Sequence, residues 1–248
     1  MNDHGCAFSF FSSFLISGSI DASLPVLALI SILYGAVAAI GSKNLLRLVA
    51  YTSVSHFGFM VLGIYTFTTS GTSGTIFYML NHGFSTAALF LVLGFLISRR
   101  GSAMVESFGG VEKVAPVLAG SVLLAGLSAL GLPGMSTFVS EFMVLAGTWS
   151  REPWVAAVAV LGTVLAAVYV LLMYQRTMTG PVTDQVREHI TTDLTGRERW
   201  VVAPLIAIIL LLGFVPRLAL DIIEPTSVAT LTQAGISDPV VPFGEEAQ

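Results

Sequence analysis

Five long apolar runs constrain this chain more than any other feature of its sequence. A membrane-spanning helix needs about 20 predominantly apolar residues. Runs of about that length occupy residues 24–41, 45–67, 74–97, 154–174 and 200–220. Of the 248 residues, 54% are hydrophobic and only 10% are charged, whereas soluble domains carry about a quarter charged residues. The sequence therefore predicts an all-α polytopic membrane protein.

Residues 114–149 form a sixth apolar segment, which is too long for one straight spanning helix and slightly short for two. It contains Gly131, Pro133 and Gly134. Proline removes a hydrogen-bond donor and disfavours the helical conformation at the preceding residue, and glycine permits a bend. Discontinuous helices of this kind occur at the ion and substrate sites of transporters, although a kink without function is the alternative.

The positions of the basic residues indicate whether residues 114–149 cross the membrane once or twice, because short cytoplasmic loops carry the excess of Lys and Arg. A single crossing at 114–149 places nine basic residues on one side and two, Arg151 and Arg217, on the other. The nine are Lys43, Arg47, Arg99, Arg100, Lys113, Arg176, Arg187, Arg197 and Arg199. Two crossings give a weaker split of seven against four. We therefore predict one discontinuous crossing, with loops 98–113 and 175–199 cytoplasmic and the tail after Leu220 outside.

The N-terminal residues 1–23 fit the pattern poorly. Their apolar stretch, residues 6–18, is short for a span, and they lack the basic region and cleavage site of a secretory signal. We expect the remnant of a helix in a truncated chain; the alternative is an intact protein with a short interfacial start. The predicted organisation is this segment, a transmembrane domain at 24–220 and a polar acidic tail at 221–248, with about six to seven transmembrane helices in total.

Sequence patterns for most catalytic chemistry are absent. The chain has one cysteine, Cys6, which excludes an internal disulfide, and it has no Cys/His cluster for a metal or iron–sulfur site. It also lacks the motifs of nucleophile elbows, phosphate-binding loops and metalloproteases. The acidic excess lies mostly in the tail, so we expect no nucleic-acid partner. We expect no metal, no cofactor and no redox chemistry in this chain.

The predicted spans contain few ionisable residues, and these are His56, His82, Glu141 and, near a helix end, Arg47. Such residues are costly in a membrane, usually face the bundle interior and often mark proton pathways. Both histidines fall near the middle of their spans. Glu141 follows Pro133 by two helical turns. We predict that His82, His56 and Glu141 form a proton pathway; the alternatives are histidines that only pack helices together and a glutamate with a static cation partner.

Polar residues accompany both histidines and, on ideal helices, lie on or beside the same faces. They are Tyr51 and Ser55, with the small residue Gly58, near His56, and Asn81 and Ser85 near His82. We predict Tyr51, Ser55 and Arg47 as supporting polar residues. Alternatively, Arg47 extends its charge to the membrane surface.

Three stretches carry a resemblance to a known family. They are LLRLVAYTSVSHFGFMVLGIYTF, FYMLNHGFSTAALFLVLGFL and LSALGLPGMSTFVSEFMVL, in this order. Together they resemble the C-terminal half of the antiporter-like subunits of respiratory complex I, NADH-quinone oxidoreductase, and in particular the subunit M type. The resemblance covers about residues 24–220. It implies the second of two inverted helical repeats, plus the final helix, in a subunit that conducts protons when electrons pass from NADH to quinone.

The resemblance also implies roles for individual residues. His56 and His82 match the two histidines of the family's second half, Pro133 matches the proline at the helix break, and Glu141 matches the acidic residue of the second channel. Relatives of the L and N types usually carry lysine at the last position. The implied partners are membrane subunits of the L and N types and the lipid bilayer, in the inner or plasma membrane.

The chain departs from the family pattern in its charged residues. The glutamate–lysine pair and central lysine of the family's first half have no match, because the only lysines are Lys43 and Lys113, both in loops. Asn44 and Leu46 stand where an acidic residue and a lysine are usual. Two alternatives therefore stay open. One is a cation/proton antiporter or membrane-bound hydrogenase subunit, and the other is a structural fragment that conducts nothing.

Overall fold

The computed structural model describes residues 20–238 as a bundle of α-helices. The nine α-helices of this part of the chain are α1 (Ile20–Ile40), α2 (Leu45–Tyr65), α3 (Thr69–Arg100), α4 (Pro116–Ala129), α5 (Ser136–Arg151), α6 (Pro153–Met178), α7 (Asp184–His189), α8 (Gly196–Phe214) and α9 (Arg217–Gln233). The predicted N-terminal segment, up to residue 19, and the end of the predicted tail, residues 239–248, lie outside the described residues.

Four of the described helices, α1, α2, α3 and α6, are long and apolar enough to cross a membrane. The number rises to six if two bent pairs each count as one span: residues 105–113 with α4, bent by 114°, and α8 with α9, bent by 66°. Six spans agree with the lower limit of the six to seven transmembrane helices predicted from the sequence. The predicted all-α polytopic architecture is confirmed.

Residues 130–135 divide the predicted discontinuous helix into α4 and α5. Gly131 ends α4 with a left-handed backbone, φ +72°, which glycine adopts without a steric penalty. The N–H groups of Gly131 and Leu132 donate to the carbonyls of Ser128 and Leu127, both at 3.1 Å. This pair of hydrogen bonds is the Schellman pattern that ends many helices. The predicted interruption is therefore present, and glycine is the residue that permits it.

Contacts at the two ends of α3 show that α4 and α5 together traverse the bundle once. Where α3 ends, Arg99 donates to the Asp193 carbonyl at 3.1 Å. The carboxylate of Asp193 accepts from the Val117 N–H, in the first turn of α4, at 2.8 Å. Where α3 begins, Arg151 at the end of α5 donates to the Phe67 carbonyl at 3.2 Å. This arrangement agrees with the predicted single crossing.

Basic residues gather at the end of the bundle where α3 ends. Arg99 forms an ion pair with Glu198 at 2.6 Å, and Arg100 donates to the Ser107 carbonyl at 3.1 Å. Lys43 and Arg176 line one cavity nearby. Arg151 lies at the opposite end of the bundle, as the distribution of charges predicts for one crossing.

The last apolar run is divided, which the sequence analysis did not predict. The run was expected to continue to Leu220, but α8 ends at Phe214 and α9 begins at Arg217. Pro216 disfavours the helical conformation at Val215, whose φ of −128° and ψ of 63° lie outside the helical region. Residues 221–233, expected in the acidic tail, continue α9. This helix packs on α3 through an apolar cluster that includes Leu220 and Phe77.

Glycines allow α1 and α2 to approach closely. A methyl group on Gly35 of α1 would lie 2.6 Å from the backbone nitrogen of Ser55, and one on Gly58 of α2 would lie 2.8 Å from the Ala28 carbonyl oxygen. Small residues serve this purpose in membrane proteins, where helices gain little from hydrophobic association and depend on close packing. The position of α2, and of the residues it carries, therefore depends on these contacts.

We expect Gly35→Ala to destabilise the bundle by about 1–3 kcal/mol, because the added methyl group overlaps backbone atoms that cannot move independently. The measurement is thermal unfolding in detergent. Gly94→Ala on α3 is the matched control, since no atom lies within 4 Å of its added methyl group. Equal melting temperatures for the two variants would contradict this packing.

Asp193 ties the loop before α8 to the start of α4. Its carboxylate accepts from the backbone N–H groups of Val117 at 2.8 Å and Leu118 at 2.9 Å. Burial alone would raise the pKa of Asp193, but hydrogen bonds from Val117, Leu194 and Leu118, with the nearby charge of Arg199, lower it below its ordinary value. The ionised carboxylate therefore stabilises the folded state.

Asp193→Ala is expected to lose about 1 kcal/mol of stability at neutral pH, the usual contribution of a carboxylate at a helix start. Because the folded-state pKa is lowered, this contribution is present above the ordinary aspartate pKa and disappears as the pH falls through the lowered value. Melting curves of both proteins from neutral to acidic pH measure it. Asp221→Ala, at an exposed position of α9, is the control. A difference in melting temperature between the wild-type protein and Asp193→Ala that grows toward acidic pH would contradict this role.

Candidate functional site

Two buried histidines from neighbouring helices lie against each other in the bundle interior. His56 of α2 is 3% exposed and His82 of α3 is 8% exposed. Their ring centroids are 5.0 Å apart. The hydroxyl of Thr86 lies 3.2 Å from Nδ1 of His82. The structure thus brings together the two histidines that the sequence analysis selected.

Two tyrosine hydroxyls flank the imidazole of His56, and neither was predicted from the sequence. The Tyr78 hydroxyl lies 2.7 Å from Nδ1, and the Tyr169 hydroxyl lies 3.5 Å from Nε2. Both tyrosines are fully buried. Tyr78 lies one helical turn before His82 on α3, a spacing that could have identified it. Tyr169 comes from α6, and no local pattern relates it to His56.

The predicted supporting residues do not line this site. The Ser55 hydroxyl donates to the Ile32 carbonyl of α1 at 2.9 Å. Tyr51 and Arg47 line a separate cavity toward the end of the bundle. On α2, the face that carries Tyr51 and Ser55 packs against α1, whereas His56 points toward α3. The predicted polar face therefore flanks the histidine without including it.

Glu141 lies buried in α5, 4% exposed, with its carboxylate turned back toward the helix break. Its Oε1 accepts a hydrogen bond from the Thr163 hydroxyl of α6 at 2.7 Å. Its Oε2 lies over Gly131, where a methyl group on that residue would overlap it. Among residues 20–238, no lysine or arginine forms an ion pair with Glu141. The alternative of a static cation partner on another helix therefore has no support in the described chain.

Polar groups connect the surroundings of the histidines with those of the glutamate. The side-chain amide of Asn81, next to His82, donates to the Ser136 carbonyl at 2.9 Å and to the Ser140 hydroxyl at 3.4 Å. Four buried oxygens have no hydrogen-bond partner within the described residues: Ser73 Oγ, Asn81 Oδ1, Ser85 Oγ and Ser136 Oγ. Unpaired buried oxygens are rare in proteins. Asn81 and Ser136 therefore make the start of α5 a polar region in the bundle interior.

The end of α8, just before the bend that separates α8 from α9, lies against the break between α4 and α5. A methyl group on Gly213 of α8 would overlap the Gly134 carbonyl oxygen and would lie 2.7 Å from the carbonyl carbon of Met135. Gly134 itself has φ +95°, and Pro133 precedes it. The break between α4 and α5 is therefore covered by the end of α8. The apolar run at 200–220 gave no sign of this contact.

The arrangement places several groups that exchange protons close to one carboxylate. Tyr78 and Tyr169 contact His56 and also lie within electrostatic range of Glu141. Imidazole, phenol and carboxyl groups can each donate or accept hydrogen bonds as protons move. The site can therefore bind a proton at Glu141 and pass protons along the histidine–tyrosine cluster.

A family model described as NADH:quinone oxidoreductase/Mrp antiporter, TM matches residues 5–166, well over half of the chain. The NADH-quinone oxidoreductase subunit M of Mycobacterium tuberculosis is 54% identical over 216 residues, which are 87% of this chain and 39% of the relative. The protein of the same name from Rhodobacter capsulatus is 38% identical over 210 residues, 84% of this chain and 40% of the relative. The chain thus spans about two fifths of the length of these relatives.

Solved structures share the fold. A chain of respiratory complex I from Thermus thermophilus with bound NADH has a TM-score of 0.78 and 33% identity, over 86% of this chain and 44% of that chain. A chain of the Mrp complex from Dietzia sp. DQ12-45-1b has a TM-score of 0.75 and 23% identity, over 87% of this chain and 48% of that chain. The second likeness concerns the fold alone.

Tyr78→Phe is expected to destabilise the protein by about 1–3 kcal/mol, because it leaves a buried imidazole nitrogen without its hydrogen bond. Thermal unfolding in detergent measures the loss. Tyr169→Phe should cost less, since its hydroxyl lies 3.5 Å from the imidazole and that of Tyr78 lies 2.7 Å away. Tyr34→Phe on α1, where the side chain is exposed, is the control. Equal melting temperatures for all three variants would show that the two hydroxyls do not stabilise the position of His56.

Proposed function

Because the chain belongs to the NADH:quinone oxidoreductase/Mrp antiporter transmembrane family, we propose that it is a proton-translocating membrane subunit of NADH-quinone oxidoreductase, of the subunit M type. The resemblance found in the three sequence stretches is confirmed by the relatives. Electron transfer from NADH to quinone takes place in other subunits and drives proton movement here. This chain contributes the second half-channel.

Glu141 is the gated proton site of this proposal. The observation that carries it is a buried carboxylate, without a cation partner in the described chain, placed against a helix break. Ionisable groups inside membrane proteins typically mark such pathways. A proton leaves Glu141 toward the outside. A second proton then reaches Glu141 through His82 and His56.

The tyrosine hydroxyls extend the histidine pathway. Tyr78 joins α3 to His56, and Tyr169 reaches the same imidazole from α6. Both hydroxyls lie within electrostatic range of Glu141. A proton that reaches His56 therefore has two hydroxyl groups within reach of the imidazole.

Coupling to electron transfer is electrostatic. In low-dielectric surroundings, a unit charge several ångströms away alters the proton affinity of a carboxyl group strongly. A charge that arrives on the histidine pair, or on a neighbouring subunit, therefore determines whether Glu141 holds or releases its proton. No cofactor in this chain is needed for this step.

The basic end of the bundle faces the cytoplasm in this proposal. Loops 98–113 and 175–199 lie at that end and carry most of the Lys and Arg residues, which favours a cytoplasmic location. The region after Leu220 then lies outside. The membrane is the inner or plasma membrane, and the partners are other membrane subunits of the complex, of the L and N types.

A cation/proton antiporter is the second candidate, because the family description also includes Mrp antiporters and the Dietzia Mrp complex shares the fold. The energy source separates the two candidates. An oxidoreductase subunit moves protons when NADH is oxidised, whereas an antiporter moves them in response to a sodium gradient without NADH. Overall sequence identity supports the first candidate, because the subunit M relative from Mycobacterium tuberculosis is 54% identical to this chain and the Dietzia Mrp chain is 23% identical.

We expect Glu141→Gln, introduced into the chromosomal gene, to lower NADH-driven proton pumping at least roughly tenfold, because the amide keeps the shape of the side chain but cannot carry the proton. Fluorescence quenching in inverted membrane vesicles measures pumping. Native electrophoresis checks assembly, and Glu224→Gln, exposed on α9, is the matched control. Wild-type pumping by an assembled Glu141→Gln complex would show that this residue is not the proton site.

A further inference from the structure

Thr163 contacts only one of the two carboxylate oxygens of Glu141. Its hydroxyl donates to Oε1 at 2.7 Å. Oε2 points the other way and lies over Gly131. In the described part of the chain, no hydrogen bond to Oε2 is present. The two oxygens of one carboxylate therefore have different surroundings, and only one is anchored.

The helix that carries Thr163 is fixed by close packing. A methyl group on Gly162, the preceding residue, would overlap the side chain of Ile32 and would lie 3.2 Å from the ring of Phe59. This contact presses α6 against both α1 and α2. The hydroxyl of Thr163 therefore has little freedom to follow the carboxylate if the carboxylate moves.

The opposite side of the carboxylate is fixed by the backbone. Gly131 has a left-handed conformation that ends α4, and the absence of a side chain there leaves the space that Oε2 occupies. The end of α8 covers the same break through Gly213. Oε2 therefore lies at the edge of the polar region where α5 begins.

We propose that Thr163 is a positioning residue that anchors Oε1 of Glu141, so that Oε2 is the oxygen that takes up and releases the proton at the helix break. The proposal rests on the function proposed above. When Oε2 gains a proton, the Thr163 hydroxyl continues to donate to Oε1, and the carboxyl group does not have to rotate. Without the anchor, the carboxyl group can turn and the exchanging oxygen leaves the break.

The other titratable groups that face Glu141 come from two helices. They are Tyr78 of α3 and Tyr169 of α6, which interact electrostatically with Glu141 and whose hydroxyls contact His56 of α2. Within residues 20–238, no basic side chain pairs with the carboxylate. Thr163 is thus the side chain that donates a hydrogen bond to the Glu141 carboxylate in this part of the chain, and we expect its removal to alter proton exchange there.

The test compares Thr163→Val, which keeps the shape and removes the hydroxyl, with Thr163→Ser, which keeps the hydroxyl. Both are introduced into the chromosomal gene and assayed for NADH-driven proton pumping per electron pair across a range of pH. We expect Thr163→Val to lower pumping about tenfold, the effect of losing one hydrogen bond to a charged group. We also expect its pH profile to move toward higher pH, because the ionised carboxylate loses a donor.

Thr163→Ser is expected to restore most of the pumping rate and the wild-type pH profile. Val164→Ala, on the exposed face of the same helix, controls for general effects on α6, and Thr163→Ala replaces the valine variant if that variant does not assemble. Loss of pumping with an unchanged pH profile, or equal profiles for the valine and serine variants, would overturn the positioning role. A parallel Glu141→Gln assay separates the two proposals: if that variant pumps normally, the proposed function itself is wrong.

Discussion

A helix that breaks inside a membrane must find protein partners for its backbone groups, because hydrocarbon offers none. The rest of this structure depends on how the break between α4 and α5 is enclosed. Hydrogen bonds from the N–H groups of Gly131 and Leu132 end α4, and the amide of Asn81 donates to the Ser136 carbonyl at the start of α5. The end of α8 covers the remaining side. The Glu141 carboxylate lies buried against this enclosed break, where we propose that it exchanges a proton.

The histidine–tyrosine cluster depends on packing elsewhere in the bundle. His56, His82 and Tyr169 come from three different helices, so their contacts exist only when α2, α3 and α6 hold fixed positions. Close approaches at glycine provide those positions, at Gly35 between α1 and α2 and at Gly162 between α6 and both of them. Helices in membranes depend on such packing because hydrophobic association contributes little between them. Stability and the proposed proton transfer therefore depend on the same contacts.

The sequence was sufficient to predict the apolar spans, the interruption and the ionisable residues inside the bundle. Each of these depends on local composition, and His56, His82 and Glu141 are conspicuous because charged and titratable residues are rare in membrane spans. Thr163 and Tyr169 escaped prediction because hydroxyl residues are common in such helices. Their importance depends on the rotation of α6 relative to its neighbours. Ser55 lies apart from the histidine cluster because its face of α2 packs on α1, a contact that the sequence of α2 alone does not reveal.

The bend before α9 escaped prediction for a different reason. Apolar residues continue on both sides of Pro216, so the composition gave no boundary, and the proline alone did not distinguish a kink from an end. In the structure, Pro216 follows the end of α8, and Gly213, just before that end, lies against Gly134. The division therefore lies at Pro216, next to a contact between two segments that are distant in the sequence.

The central claim is that the Glu141 carboxyl group gains and loses a proton while buried at the helix break. Infrared spectroscopy of the purified complex during a pH titration measures this directly, because a protonated carboxyl group has a carbonyl band that the carboxylate lacks. The predicted result is a band that is absent from the Glu141→Gln variant and that appears and disappears reversibly over the pH range in which the complex pumps. A Glu141 carboxyl group that stays in one protonation state throughout that range would contradict the account.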